Sequence, residues 1–111
     1  MIERTASARE AGLDSLFVGD HHVTASPYYQ NNVILARMLA EWGSKPFGAL
    51  YLLPLWHPVL LAEQVGTLAS LSEGPFIMQC GLGDEPQGVR MGIDLSKRVG
   101  MFTASLNVLR Q

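Results

Sequence analysis

One cysteine, Cys80, occurs in the chain. Without a second thiol there is no intramolecular disulfide, and this composition fits a cytoplasmic setting. Charge is scarce as well. Asp, Glu, Lys and Arg make up 16% of the 111 residues, below the usual quarter. The formal net charge is −2, which leaves no basic footprint for nucleic acid or an anionic membrane. No apolar run approaches the roughly 18 residues of a membrane span, and Met1 to Thr5 carry no apolar core of a signal peptide. Fixed-period repeats and low-complexity linkers are also missing. What the chain does hold is apolar: 48% of residues, enough for a packed core and too many for a disordered chain. The length sets one domain, residues 1–111, as the limit. A chain this apolar and this poor in charge implies that part of its surface is covered, by further chain or by a partner.

Glycine and proline divide the chain into alternating segments. Residues 2–11 predict a helix, with Ile2, Ala6, Ala8 and Ala11 on one side and Gly12 as a left-handed cap. Ser15 to Gly19 is apolar throughout, as suits a strand covered on both faces, and runs into Asp20-His21-His22. Val23 to Asn32 is polar and aromatic and reads as a loop. Residues 33–42 predict a second helix, capped by Asn31 or Asn32 and ended by Gly43. Phe47 to Leu53 predicts a second strand that Pro54 stops, because proline cannot donate to a sheet ladder. Pro58 opens a third helix, which runs to Ser72. A third strand covers Phe76 to Cys80 behind Gly74-Pro75, a loop follows to about Gly92, and Leu95 to Arg110 has helical spacing.

The pattern is α/β, with three strands and four flanking helices. Alternating units with apolar strands call for a parallel sheet with helices outside. An open doubly wound sheet and part of a barrel fit equally well. In both, ligands bind at the C-terminal ends of the strands. Asp20 to Tyr29, Leu53 to His57 and Cys80 to Asp84 are therefore the candidate site segments.

Each candidate has a plain reading beside its chemical one. In Asp20-His21-His22 a histidine is suited to general acid or base work, and the aspartate to orienting a ring. A metal site is disfavoured, because adjacent residues on a strand point to opposite faces. His57-Pro58 reads first as helix-start chemistry. Cys80 sits in an apolar strand, where a free thiol is usually a small buried hydrophobe. Gly81-Leu82-Gly83 lacks the third glycine of a dinucleotide turn, and Asp84-Glu85-Pro86 reads as a continuation of the loop. Tyr28, Tyr29 and Trp56 stand near strand ends, where aromatics line a flat ring or simply pack.

Together these stretches resemble the luciferase-like monooxygenase family of flavin- and deazaflavin-dependent oxidoreductases. The resemblance runs through Ala11-Gly12-Leu13-Asp14-Ser15-Leu16-Phe17-Val18-Gly19-Asp20-His21-His22 and Leu53-Pro54-Leu55-Trp56-His57-Pro58-Val59-Leu60-Leu61-Ala62-Glu63-Gln64. It continues through Leu68 to Gly74 and Cys80-Gly81-Leu82-Gly83-Asp84. It implies a (β/α)8 barrel, of which this chain would form a fragment: strands two to four of a fold that takes roughly 250 residues. It implies a cofactor, FMN or a deazaflavin, lying across the strand ends, and a small-molecule substrate. His21 matches the family's strand-end histidine, a proton donor or acceptor. Asp20, Cys80, Gly81, Leu82, Gly83 and Asp84 match cofactor-contacting strand ends. Ala49-Leu50 falls where many members carry a bulge with a non-proline cis peptide. Three positions depart from the pattern: Pro75 and Thr103 replace charged residues, and Gly81 offers no side chain where some relatives place an arginine. A partial barrel would also expose sheet edges and its inner face, which favours self-association into a homo-oligomer. The competing expectation is a truncated, catalytically inactive module that self-associates.

Overall fold

The computed structural model describes all 111 residues. Helix α1 spans Ile2–Glu10, β1 Leu16–Val18, α2 Asn31–Trp42 and β2 Phe47–Leu52, followed by a 3-10 turn at Leu53–Leu55. Helix α3 spans Pro58–Leu71, β3 Phe76–Gly81 and α4 Glu85–Met91, and a second 3-10 turn, Leu95–Lys97, leads into α5, Arg98–Leu109. The strands form one parallel sheet in the order β1-β2-β3.

Register explains which residues make the core. Leu16 pairs with Phe47 and Phe47 with Phe76; Val18 pairs with Ala49 and Ala49 with Met78; Tyr51 pairs with Cys80. Side chains alternate along a strand, so these residues share one face, and that face packs on the helices. Leu35 and Trp42 of α2 and Leu61 and Leu68 of α3 join Phe47, Ala49, Tyr51 and Leu53 in the core. The Phe47 and Phe76 rings meet edge to face at 5.1 Å. Two glycines are required by close approach. A Cβ on Gly48 would lie 2.0 Å from the Ile77 carbonyl oxygen, and one on Gly74 would lie 2.4 Å from that of Lys45.

The other sheet face has no layer over it. Phe17 is 37% exposed and Ile77 43% exposed on that side. The expectation of strands covered on both faces therefore holds on the helix side only.

Four further expectations are revised. Five helices are present rather than four, because α4 forms where a loop was expected. Asp84 caps it: its side chain accepts from the Gln87 N–H, and Gly92 ends the helix in the left-handed conformation. The last helix begins at Arg98, after the 3-10 turn. The Ala49-Leu50 peptide is trans, and the β2–β3 register runs unbroken from Phe47 to Leu52, so there is no bulge. Neither Asn31 nor Asn32 caps α2, whose N-cap residue is Gln30; Asn31 is turned instead toward the strand ends.

Candidate functional site

The three strand ends are tied together by side chains. Asp20 follows β1 and is only 2% exposed. Its Oδ2 accepts from the Leu52 N–H at 2.8 Å and from the Trp56 indole N–H at 2.7 Å. Its Oδ1 accepts from Asn31 Nδ2 at 3.3 Å, and Asn31 Nδ2 also donates to the Leu50 carbonyl at 3.1 Å. The end of β1 is thereby fixed to the end of β2 and to the start of α2. Burying a carboxylate is costly unless its lone pairs are filled, and here three donors converge on it.

His22 Nε2 lies 3.0 Å from Asp20 Oδ1. Despite that closeness Nε2 has no hydrogen-bond partner. His22 also meets Trp56 edge to face at 5.5 Å, and Trp56 meets Tyr51 at 5.7 Å. The Tyr51 hydroxyl donates to Asn32 Oδ1. Burial, then the nearby Asp20 carboxylate, then Cys80 push its phenol far above the ordinary range. Tyr51 is therefore a neutral hydrogen-bond donor and not a titrating group.

The third tie runs from β1 to the segment after β3. The His22 N–H donates to Gln87 Oε1 at 2.9 Å, while Gln87 Nε2 donates to Asp84 Oδ2 at 2.9 Å. The Gln87 N–H donates to Asp84 Oδ1 at 2.9 Å. These bonds, first with the Gln87 backbone and then with its side chain, hold the Asp84 carboxyl below the usual carboxylate range, and Arg90 and His21 add to the effect.

Above this network lies a rim on the uncovered sheet face. Leu50 and Leu52 form its floor, with Gly81 against it and Gly19 at the neighbouring strand end. A Cβ on Gly81 would meet Leu52 Cδ2 at 3.0 Å; one on Gly19 would meet the Tyr28 hydroxyl at 3.0 Å and His21 Nε2 at 3.6 Å. His21 is exposed, with its ring edge to face against Tyr28 at 4.9 Å. Leu82 is 40% exposed, and Gly83 takes a φ of 75° beside Leu52 and Leu55.

The sequence-derived candidates thus divide. Leu50, Gly81 and Gly83 gather around Leu52, His21 stands beside Gly19 and Tyr28 at the end of β1, and Leu82 is exposed. Asp20 lies beneath the rim with its oxygens engaged. The Asp84 carboxylate is taken by Gln87. Ala49 is fully buried in the core and Cys80 packs against that core, so their side chains face the helices. Burial pushes the Cys80 thiol up, which suits a wall and not a nucleophile. His57 is exposed, and its side chain caps nothing.

Gln87 was missed by sequence reasoning. Asp84-Glu85-Pro86-Gln87, with Gly92 five residues on, carries the marks of a capped helix. Its reach to His22 spans 65 residues, and no local pattern reveals that.

The family described as luciferase-like monooxygenase matches residues 1–111. The chain belongs to the luciferase-like monooxygenase family. Among curated relatives, 3,6-diketocamphane 1,6-monooxygenase of Pseudomonas putida is 28% identical over 95 residues, covering 81% of this chain and 24% of that protein. Among solved structures, a type II Baeyer-Villiger monooxygenase is similar: the oxygenating constituent of the Pseudomonas putida 3,6-diketocamphane monooxygenase, in complex with FMN. It superposes with a TM-score of 0.86 at 24% identity, over 97% of this chain and 32% of that one. EDTA monooxygenase from Chelativorans sp. BNC1 gives a TM-score of 0.78 at 19% identity, over 96% and 29%. The chain therefore spans about a quarter to a third of the length of these luciferase-like relatives. The choice between open sheet and barrel is resolved: these three parallel strands are part of the luciferase-like barrel.

Proposed function

We propose that this chain is a segment of a flavin-dependent monooxygenase, and that its strand-end rim forms one wall of the cleft for the tricyclic ring of FMN or of a deazaflavin. One observation carries the reading: Gly81 lies against an apolar floor of Leu50 and Leu52, and His21 and Tyr28 stand over Gly19 at the neighbouring strand end. A flat ring can lie on that apolar floor, and leucine excludes water beneath it. A relative of the same fold is in complex with FMN, which supports a flavin as the occupant. The cofactor phosphate is less well served. Residues 81–92 hold one cation, Arg90, and its Nη1 donates to the Val23 carbonyl. These residues fit the ring better than the phosphate.

When bound, the flavin would supply the electrons for oxygenation or hydride transfer. The chain supplies orientation, water exclusion and a proton site. His21 Nε2, beside Gly19, is the atom suited to give or take a proton from a small organic substrate at the rim. Asp20 acts beneath it, locking the ends of β1 and β2 in register.

Titration of the 111-residue chain with FMN, followed by fluorescence quenching, tests the reading. Saturable binding in the micromolar range by a monodisperse species is expected. Quenching that never saturates would remove the site from this chain. In a full-length relative carrying this segment, turnover left unchanged by His21→Ala would remove His21 from the chemistry.

A second reading rests on the uncovered face and free strand edges: the chain self-associates. All three strands run parallel, so the β3 edge of one copy can continue the sheet along the β1 edge of another. The partner on this reading is a second copy of the same chain.

A further inference from the structure

Val23 is the sole non-glycine residue with positive φ, at 49°. A β-branched residue is a genuine outlier there, and such strain persists only where the surroundings enforce it. Two side chains of α4 grip the backbone at this point. Gln87 Oε1 accepts from the His22 N–H at 2.9 Å, and Arg90 Nη1 donates to the Val23 carbonyl oxygen at 3.2 Å. Gln87 and Arg90 are three residues apart, so they project from one side of the helix. Their grip closes on the two residues directly after His21.

We propose that α4 is a clamp. Gln87 and Arg90 are positioning residues that hold Val23 in its strained conformation and so fix the His21 ring at the rim against Tyr28. The clamp's value to catalysis rests on the flavin reading above, but its mechanical part does not. Asp84 completes the device by capping α4 and holding the Gln87 amide through Oδ2. With that amide nitrogen engaged, the Gln87 oxygen is left facing His22. Release of the clamp would let Val23 relax to negative φ, and His21 would leave Tyr28.

The test is a double-mutant cycle on the 111-residue chain, read by NMR. In Arg90→Ala and in Gln87→Ala, the hydrogen-exchange protection of the His22 amide is expected to fall by about tenfold. The His21 ring protons, which lie in the ring current of Tyr28, are expected to shift while those of His57 stay in place. The same two substitutions are then made on a Val23→Gly background. Glycine adopts positive φ without strain, so each substitution should move the His21 signals by less than half as much there. Arg90 is exposed, so its variant remains folded and readable even if Gln87→Ala is not. Unmoved His21 signals in Arg90→Ala would overturn the clamp. Equal shifts with and without the Val23→Gly substitution would overturn the role of strain. FMN affinity is measured on the same variants. If no form binds FMN, the flavin reading fails, while the ring-proton shifts still decide the clamp.

Discussion

Asp20 shows how one residue's chemistry differs from its apparent role in the sequence. An aspartate between a strand and two histidines invites a reading as a ligand or a proton relay. Its oxygens instead accept from the Leu52 amide, the Trp56 indole and the Asn31 side chain. Removing a buried charged acceptor leaves its donors unsatisfied, which costs more than the net value of the bonds themselves. Asp20→Ala is expected to destabilise the chain by about 3 kcal/mol, enough to unfold a marginally stable domain. Asp20→Asn keeps one carbonyl oxygen and should cost less. Urea denaturation of both variants gives the order; a loss below about 0.5 kcal/mol for Asp20→Ala, the size of an ordinary surface change, would contradict the hub. His21 and His22 are told apart by the same network. Their order along the chain shows only that they alternate; the three-dimensional fold sends His22 toward Asp20 and His21 to the rim.

At the scale of the element, the strands and the first three helices were readable because apolar runs lie between glycine and proline stops. Gly12, Gly43 and Pro58 each sit at the boundary that the sequence predicted. Helix α4 was not readable, since seven residues containing Pro86 and Gly88 look like a loop until the cap is recognised. That cap gives a pH prediction. The Asp84 carboxyl is held below its ordinary range in the folded chain, so its contribution is fully present above about pH 4 and is lost as pH falls through the depressed value. The Gln87 amide should lose hydrogen-exchange protection, corrected for the intrinsic rate, over that acid window while amides in α3 keep theirs. Protection constant down to pH 2 would show that the cap bears no load. Helix α3 offers the opposite test. Gly66 lies in mid-helix, and a Cβ there would meet nothing within 4 Å. Gly66→Ala should stabilise the chain by about 0.5 to 1 kcal/mol through helix propensity alone, measured as a higher urea midpoint at unchanged m-value.

The whole molecule is a slab and not a sphere. Its extents are 44 × 35 × 19 Å and its radius of gyration is 14.8 Å, against about 13 Å for a compact chain of this length. Its accessible surface is 6706 Å², where a compact monomer of 12.1 kDa would have about 6,000 Å². The excess has a visible source, since one sheet face lacks a covering layer and exposes Phe17 and Ile77. The shortage of charged residues led to an expectation of covered surface, but which surface was beyond sequence reasoning: strand alternation says that two faces exist and not which one lacks a partner. The site shares this incompleteness, because its rim lies on the same open face. If copies of the chain cover that face for one another, a charge at its centre should separate them. Ile77→Glu places a carboxylate on a side chain that is 43% exposed in the single chain, so folding stability should change by less than about 0.5 kcal/mol. Burying that carboxylate between copies without a partner is far costlier. Light scattering should therefore show oligomers for the parent chain and a mass near 12.1 kDa for Ile77→Glu, with unchanged far-ultraviolet circular dichroism. Identical masses for the two chains would exclude this face as the contact. In that event the free β1 and β3 edges, which Ile77→Glu leaves intact, are the surfaces to block next, with a proline in each.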